Sequence, residues 1–521
     1  MQTRTSSNTR KNSLVIKGNF RYNPNMFEWR FRVTPGVIPQ PLLETAYFAG
    51  WGRVPRMTKT IVRENELLIH ADSLSSGTVH VPMIHLPLGA VMESTESLLS
   101  QHAPYLLVQE LARGGLGRCY RRLFDWQMVG FSQPQELDER LNIIAKRFSS
   151  AVLQHSLVSE VEQEFVSILD DLALLILDEN KAFAEQSISW RTRNGERLPI
   201  VLGIGTNARH FETLHDFDVY AKLLQNSFHA VLHTPTWREL EPQPECFDWE
   251  RLEKHLMFPL RFGLQIVFGP LLSLSADSFP NWLVPRLSEE GYFESRVTRF
   301  VNTMAERFGH LANSWILANR FVDQSLPNMP PMRSLALIRI LAQQLRSRGV
   351  ETPIIVGISQ PWGEYALQQP PEWEQVQIAE MLMGCREIDA FLLEIDVGCG
   401  DYLTLPRDPM CIGNMIDQWS FLGKKIYVSL SVPSAGNPVA TATELAPEIQ
   451  CSEERQRIWT ETLLLAILSK RMVRGIFWSC LQDQKNPEKV SSGFNYGLIN
   501  EQQALKPAFK HFSALRKNLL R

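Results

Sequence analysis

NSFHAVLHTPTWRELEPQPECFDWERLEKHLMFPLRFGLQIVFGPLLSLSADSFPNWL, residues 226–283, decides the fold. Two short apolar β-rich runs, Phe228–Leu232 and Leu264–Phe268, flank an amphipathic segment near Trp249–Phe262. Strand, helix, strand in that order is a β-α-β unit, because a parallel strand pair needs a crossover of about a dozen residues or more. Working outward, the same alternation recurs. A first run begins at Leu198 and ends at Ile204, and Ser314–Ala318, Ile354–Ile358, Ala390–Ile395, Lys425–Leu430 and Arg474–Trp478 follow, with helical intervals between them. Together these make eight strands over residues 196–521, which predicts an α/β fold, a (β/α)8 TIM barrel filling the C-terminal two-thirds of the chain. Ligands bind such barrels at the C-terminal ends of the strands, so Thr234–Glu241 and Leu271–Trp282 are expected at the mouth.

The N-terminal third reads differently. Residues 1–20 are polar without periodicity and are expected to be a disordered tail. Residues 21–104 hold short alternating runs (Phe27–Val33, Thr58–Val62, Leu67–His70, Thr78–Met83) punctuated by Pro and Gly, the pattern of a small β-sandwich-like module. Trp29 or Trp51 would be stacking platforms if that module binds carbohydrate, and core residues if it only docks. Residues 105–195 read as a helical connector; Leu157–Ile188 carries a broad apolar stripe and is expected between the β module and the barrel. The run from Arg113 to Arg118 (RGGLGR) lacks phosphate-loop spacing, and its glycines are expected to break a helix.

Composition excludes several function classes. The 521 residues carry a net charge of −3, with no global basic footprint that would announce nucleic acid as a partner. No apolar run of about 18 residues suggests a membrane span, and the polar, basic start lacks a secretory signal, so a cytoplasmic protein is expected. Seven scattered cysteines show no CxxC spacing, which points to reduced thiols and to no metal; no cofactor motif is present.

Several motifs along the barrel resemble glycoside hydrolase family 10, the retaining β-1,4-xylanases. Trp237 with Glu241-Pro242 and Phe247-Asp248-Trp249 is similar to that family's run after strand two. Gly269 through Pro280 and Trp282 is similar to strand three and its loop. Trp315 with Asn319, Gly475 with Trp478, and Gly497-Leu498 with Lys506-Pro507-Ala508 continue the resemblance over roughly the length a barrel needs. It implies a carbohydrate partner, a β-linked polysaccharide or oligosaccharide, and an acid/base and a nucleophile glutamate at the ends of strands four and seven. Here those positions depart from the pattern. Arg320 stands at the acid/base position, and an arginine cannot give and retrieve a proton. Leu430 or Ser431 stands at the nucleophile position, and neither is a carboxylate. Thr236 and Leu274-Ser275 replace further sugar-contacting residues of the family.

Carboxylates remain near the expected mouth: Asp323, Glu364, Glu394, Asp396 and Asp483. Strand side chains alternate, so Glu394 and Asp396 point the same way. Glu364 with Glu394 is the candidate catalytic pair; the opposing reading makes Glu394 an interior acid paired with Arg320 or Arg407, and Glu364 a loop charge. Candidate substrate-binding residues are Trp237, Trp282, Asn319, Arg320, Trp362, Asp396, Trp478 and Asp483, with Tyr365 and Tyr402 adding aromatic surface. Trp237 and Trp478 can equally be barrel packing. Residues Pro433–Gln450 form a long irregular stretch, a candidate lid. Two functions therefore stand open, a glycan-active hydrolase with relocated carboxylates and a catalytically inactive glycan-binding or scaffold protein.

Overall fold

The computed structural model describes residues 26–50, 53–71, 75–101, 103–154, 158–206, 217–321, 326, 329–367, 375–398, 406–435, 451–483 and 495–521. Trp51, Asp323, Tyr402 and most of the candidate lid lie outside the described residues.

Eight parallel strands close on themselves: Val201–Thr206, Ala230–His233, Gln265–Phe268, Ala312–Asn319, Ile354–Ser359, Ala390–Asp396, Lys425–Ser431 and Val473–Trp478. The eighth pairs back onto the first, Gly475 with Val201, and this closure leaves no open edge. Each strand lies within a few residues of its expected run. The first starts latest, at Val201, because Leu198 instead bridges to Leu520 and Pro199 has no N–H for a ladder.

The barrel is filled. Ala230, Leu232, Val267, Ile316, Ile355, Ala390, Leu392, Tyr427 and Phe477 form an interior cluster distinct from the larger outer core beneath the helices. Two glycines make room for its rings: a Cβ at Gly203 would strike the Phe477 ring, and one at Gly475 the Tyr427 ring. Outward residues of the same strands, such as Leu393, Ile395 and Leu430, face the helices. The helix of the founding β-α-β unit spans Trp249–Arg261, is capped by the Asp248 carboxylate, and buries Leu252, Leu256 and Phe258.

The N-terminal module consists of two small sheets. One joins Thr58–Arg63, Glu66–Ala71, Phe27–Arg32 and Tyr105–Leu106; the other joins Tyr47–Ala49, Ser76–His85 and Gly89–Ser94. Trp29 is fully buried, stacked on Phe48 with centroids 4.3 Å apart, and its N–H donates to the Leu98 carbonyl. It is a core residue and offers no platform. The apolar stripe of the connector forms the helix Val158–Thr192, held against the barrel helix Glu453–Leu468 by Ser187 donating to the Ser469 carbonyl (2.9 Å).

One expectation is corrected here. The helix Leu107–Met128 runs unbroken through the RGGLGR stretch. The glycines serve close approach: a Cβ at Gly114 would collide with the Ser94 carbonyl, and one at Gly117 with the Glu96 carboxylate. Among the described residues no helix is long and apolar enough to cross a membrane.

Candidate functional site

The mouth is built by strand alternation. On the sixth strand Ala390 and Leu392 point into the barrel core, so Glu394 and Asp396, next in the same phase, point up the same lumen, and both are half-buried. Register aligns Glu394 with Ser359 on the fifth strand and Ser429 on the seventh, and Asp396 with Ser431. Asn319, at the end of strand four, donates from Nδ2 to Glu394 Oε1 at 2.7 Å. The Asn319 acceptor, Oδ1, is buried without a hydrogen-bond partner. Ser431 donates to Ser479 Oγ at 2.8 Å. The floor of the mouth is therefore two carboxylates ringed by hydroxyls and an amide.

Backbone strain gathers at the same place. Arg320 (φ 57°) and Gln360 (φ 50°) follow Asn319 and Ser359 directly, and both hold left-handed conformations that cost non-glycine residues about 1 kcal/mol or more. Strain of this kind clusters at ligand-binding sites. Arg320 is half-buried, and its N–H donates to Ser359 Oγ at 3.2 Å. Of the two residues at the nucleophile position, Leu430 is fully buried under the helices and Ser431 faces inward.

Glu364, the other member of the candidate pair, is held by partners of its own. It lies on the turn Glu364–Leu367 with 3% exposure, and its Oε1 accepts from the Arg407 guanidinium at 2.6 Å. Arg407 also donates to the Tyr47 hydroxyl of the N-terminal module at 2.5 Å and lies 4.4 Å over the Trp362 ring. Burial opposes the Arg407 charge, but Tyr47 and Glu364 outweigh it and hold the guanidinium protonated. Burial likewise pushes the Tyr47 hydroxyl up to about 12. Through Arg407 and Tyr47, Glu364 joins the seam between module and barrel. It is also more than the loop charge of the opposing reading.

Three other candidates are internal. Trp237 is 3% exposed, stacked on Phe300 at 4.4 Å, and donates to Glu241 Oε2 at 2.7 Å. Trp478 is fully buried against Phe512 and donates to the Tyr496 carbonyl at 2.9 Å. Both are packing residues, because an outward-pointing strand position and a helix-facing loop position put their rings in the outer core. Asp483 pairs with the buried Lys506 at 2.6 Å and accepts the Gly497 N–H at 2.8 Å; burial raises its pKa against the pull of Lys506. Trp282 is half-buried and donates to the Glu241 carbonyl at 3.0 Å, and Trp362 is half-buried with one face under Arg407. Tyr365 is buried.

The structure thus brings together Asn319, Arg320, Glu394 and Asp396, whereas Glu364, Trp237, Trp478 and Asp483 each hold other partners. Ser431 was singled out only as the residue at the nucleophile position, and the hydroxyls of Ser359, Ser429 and Ser479 were not legible as site residues, although small polar residues at strand ends with a two-residue period are a usable signal. Among the described residues no three His, Cys, Asp or Glu side chains gather as a metal site would need.

No protein-family model matches the chain, and no curated protein matches it. Solved structures of similar fold include xylanase 10B from Thermotoga petrophila RKU-1 in complex with xylobiose (14% identity, TM-score 0.47, covering 65% of this chain and 96% of that one). Native xylanase 10B from Thermotoga maritima gives 15% identity and a TM-score of 0.48 over 65% of this chain and 97% of that one. A thermostable mutant of a xylanase from Cellvibrio japonicus gives 14% and 0.48 over 61% and 98%. The likeness concerns the fold, an α/β barrel, which the strand pairing of this chain establishes by itself.

Proposed function

We propose that this chain is a carbohydrate-binding barrel that does not turn its ligand over by the retaining glycosidase route. The observation that carries the reading is the buried Glu364–Arg407 ion pair. A retaining mechanism needs two carboxyl groups about 5–5.5 Å apart, one of them free to carry a proton. With Glu364 committed to Arg407, Arg320 at the acid position and Ser431 at the nucleophile position, the mouth lacks that division of labour. What it keeps suits recognition. Glu394 and Asp396 accept hydrogen bonds from sugar hydroxyls, the serines donate and accept, and the half-buried Trp282 offers an apolar face at the rim.

A second reading is favoured by one feature, the inward phase shared by Glu394 and Asp396. Their Cα atoms are about 6.6 Å apart along the strand, near enough for two carboxylates to act on one bond. The two readings part on titration calorimetry with xylotriose. The binding reading expects a saturable isotherm weakened at least tenfold by Asn319→Ala or Glu394→Gln, with intact xylotriose recovered afterwards. Recovery of shorter sugars supports the second reading, and a flat isotherm with xylo- and cello-oligosaccharides alike contradicts the first.

A further inference from the structure

The end of the barrel opposite the mouth carries a separate feature. Arginines elsewhere in the chain commonly meet carboxylates, as Arg147 meets Glu164 and Asp171, Arg286 meets Glu289, and Arg346 meets Asp389. Arg191, Arg193, Arg197, Arg471 and Arg474 do not: among the described residues none of the five has an ion pair. Three of them spend an N–H on backbone carbonyls. Arg191 donates to Leu468 (2.6 Å), Arg197 to Leu520 (3.3 Å), and Arg474 to Arg471 and Val473 (2.6 and 3.0 Å). Such bonds fix the guanidinium without neutralising it.

Register puts these residues side by side. Ile426 pairs with Val473, Gly475 with Val201 and Gly203 with Ala230, so the starts of strands seven, eight, one and two form one continuous rim. The bridge between Leu198 and Leu520 brings the end of the C-terminal helix onto it. At about 4.8 Å per strand, the rim runs some 15 Å. The arginines feel one another. Burial and then Arg474 and Arg471 hold the Arg191 pKa below its ordinary value, and burial and then Arg197 do the same at Arg516. Glu196 is an exposed acid on the same turn, and Asp389, farther round, is taken by Arg346.

We propose that this basic rim is a docking surface for a carboxylate-bearing polysaccharide, a polymer of uronic acid units. Charge complementarity is the first argument, because the rim is positive on a chain whose net charge is −3. Side-chain chemistry is the second. Guanidinium forks match carboxylates in two-point contacts that ammonium groups do not make, and arginine dominates here. Single-stranded nucleic acid calls for a row of stacking aromatic rings, and among the described residues no exposed aromatics follow these arginines in a row. The choice of a polysaccharide rests on the carbohydrate reading of the mouth; the anionic character of the partner does not.

The test uses the full-length chain and fluorescein-labelled polygalacturonate oligomers, read by anisotropy at low and high salt. The expected result is binding that weakens at least tenfold as salt rises and at least tenfold again in Arg193→Glu/Arg471→Glu. Both side chains are without hydrogen bonds among the described residues, so the variant's melting temperature should match wild type. Its affinity for neutral xylotriose at the mouth should also be unchanged, whereas Glu394→Gln should leave polygalacturonate binding intact. Loss of xylotriose binding in wild type with polygalacturonate binding retained would therefore fault the mouth and not the rim. No polygalacturonate binding, or binding indifferent to charge reversal, overturns the proposal. A DNA strand of equal charge that binds more tightly through the same arginines overturns the choice of partner.

Discussion

Two regions hold carboxylates in this protein and surround them differently. In the seam between the N-terminal module and the barrel, each acid meets a cation. Asp170 accepts from His85 Nδ1 at 2.9 Å, His85 Nε2 lies 3.5 Å from Glu93, and Glu93 is bonded to Arg118. Arg118 reaches Asp408 at 3.2 Å, and Asp408 caps the barrel helix Pro409–Ser420 by accepting the Cys411 N–H at 2.8 Å. Glu364 with Arg407 and Tyr47 repeats the pattern nearby. At the mouth, Glu394 rests on an asparagine amide among serine hydroxyls. The difference teaches where to look for function. Charge closed on itself across three layers serves the fold, whereas the mouth sets its carboxylates among small polar groups at the strand ends.

The sharpest way to break the comparison is Arg118→Met. It leaves Glu93 and Asp408 buried without their guanidinium, and removing one partner of a buried ion pair costs about 3–5 kcal/mol. Urea denaturation should show that loss, and Arg118→Met/Glu93→Gln should recover part of it. An unchanged midpoint for the single variant would make the seam dispensable.

Next in size is the pH response of His85. Burial disfavours its charge, but the bonds to Asp170 and Glu93 outweigh burial and raise its pKa to about 9. The unfolded value is about 6.5, so this stabilisation is complete below about pH 6.5 and is lost as pH rises towards 9. The shift corresponds to roughly 3 kcal/mol, reduced by the solvent exposure of Asp170. Glu93 works in the other direction: burial opposes its charge, yet Arg118 and His85 lower its pKa to about 2. Its contribution is present above about pH 4.5 and is lost as pH falls through about 2. Stability measured from pH 6 to 10 should decline in wild type and hardly at all in His85→Gln. Parallel profiles would remove His85 from the seam.

A smaller effect is expected from Glu364→Gln, which keeps the shape of the turn but removes the charge facing Arg407, at about 1–3 kcal/mol. Calorimetric melting would read it. The mouth should respond least. If the mouth is kept for a ligand, as proposed, Glu394→Gln and Ser431→Ala should move stability by about 0.5 kcal/mol or less, or raise it, because such groups are not optimised for the fold. A Glu394→Gln variant as unstable as Arg118→Met would erase the distinction between the two regions.

The sequence made the barrel legible because strand period, helix period and turn chemistry agreed over eight repeats. The strand count also placed Glu394 and Asp396 on strand six, and the pairing of Asp396 with Ser431 on the next strand agrees. The fate of Glu364 was not legible. Its partner Arg407 lies 43 positions away and Arg407's second partner, Tyr47, lies in another module, and no local period encodes such contacts. Trp237 and Trp478 were ambiguous for a related reason: an aromatic at a strand end can turn into the outer core or over the mouth, and composition does not say which. The RGGLGR glycines misled because glycine is read first as a helix breaker, whereas here the missing Cβ lets strand and helix touch.

The central claim is that the mouth binds a sugar without cleaving it, and proton NMR of xylotriose mixed with the full-length chain tests both halves in one tube. The account predicts saturation transfer to xylotriose that Glu394→Gln abolishes, with anomeric signals unchanged against a protein-free control over days. Growth of xylobiose and xylose signals, released with retained configuration and lost in Glu394→Gln, would contradict it.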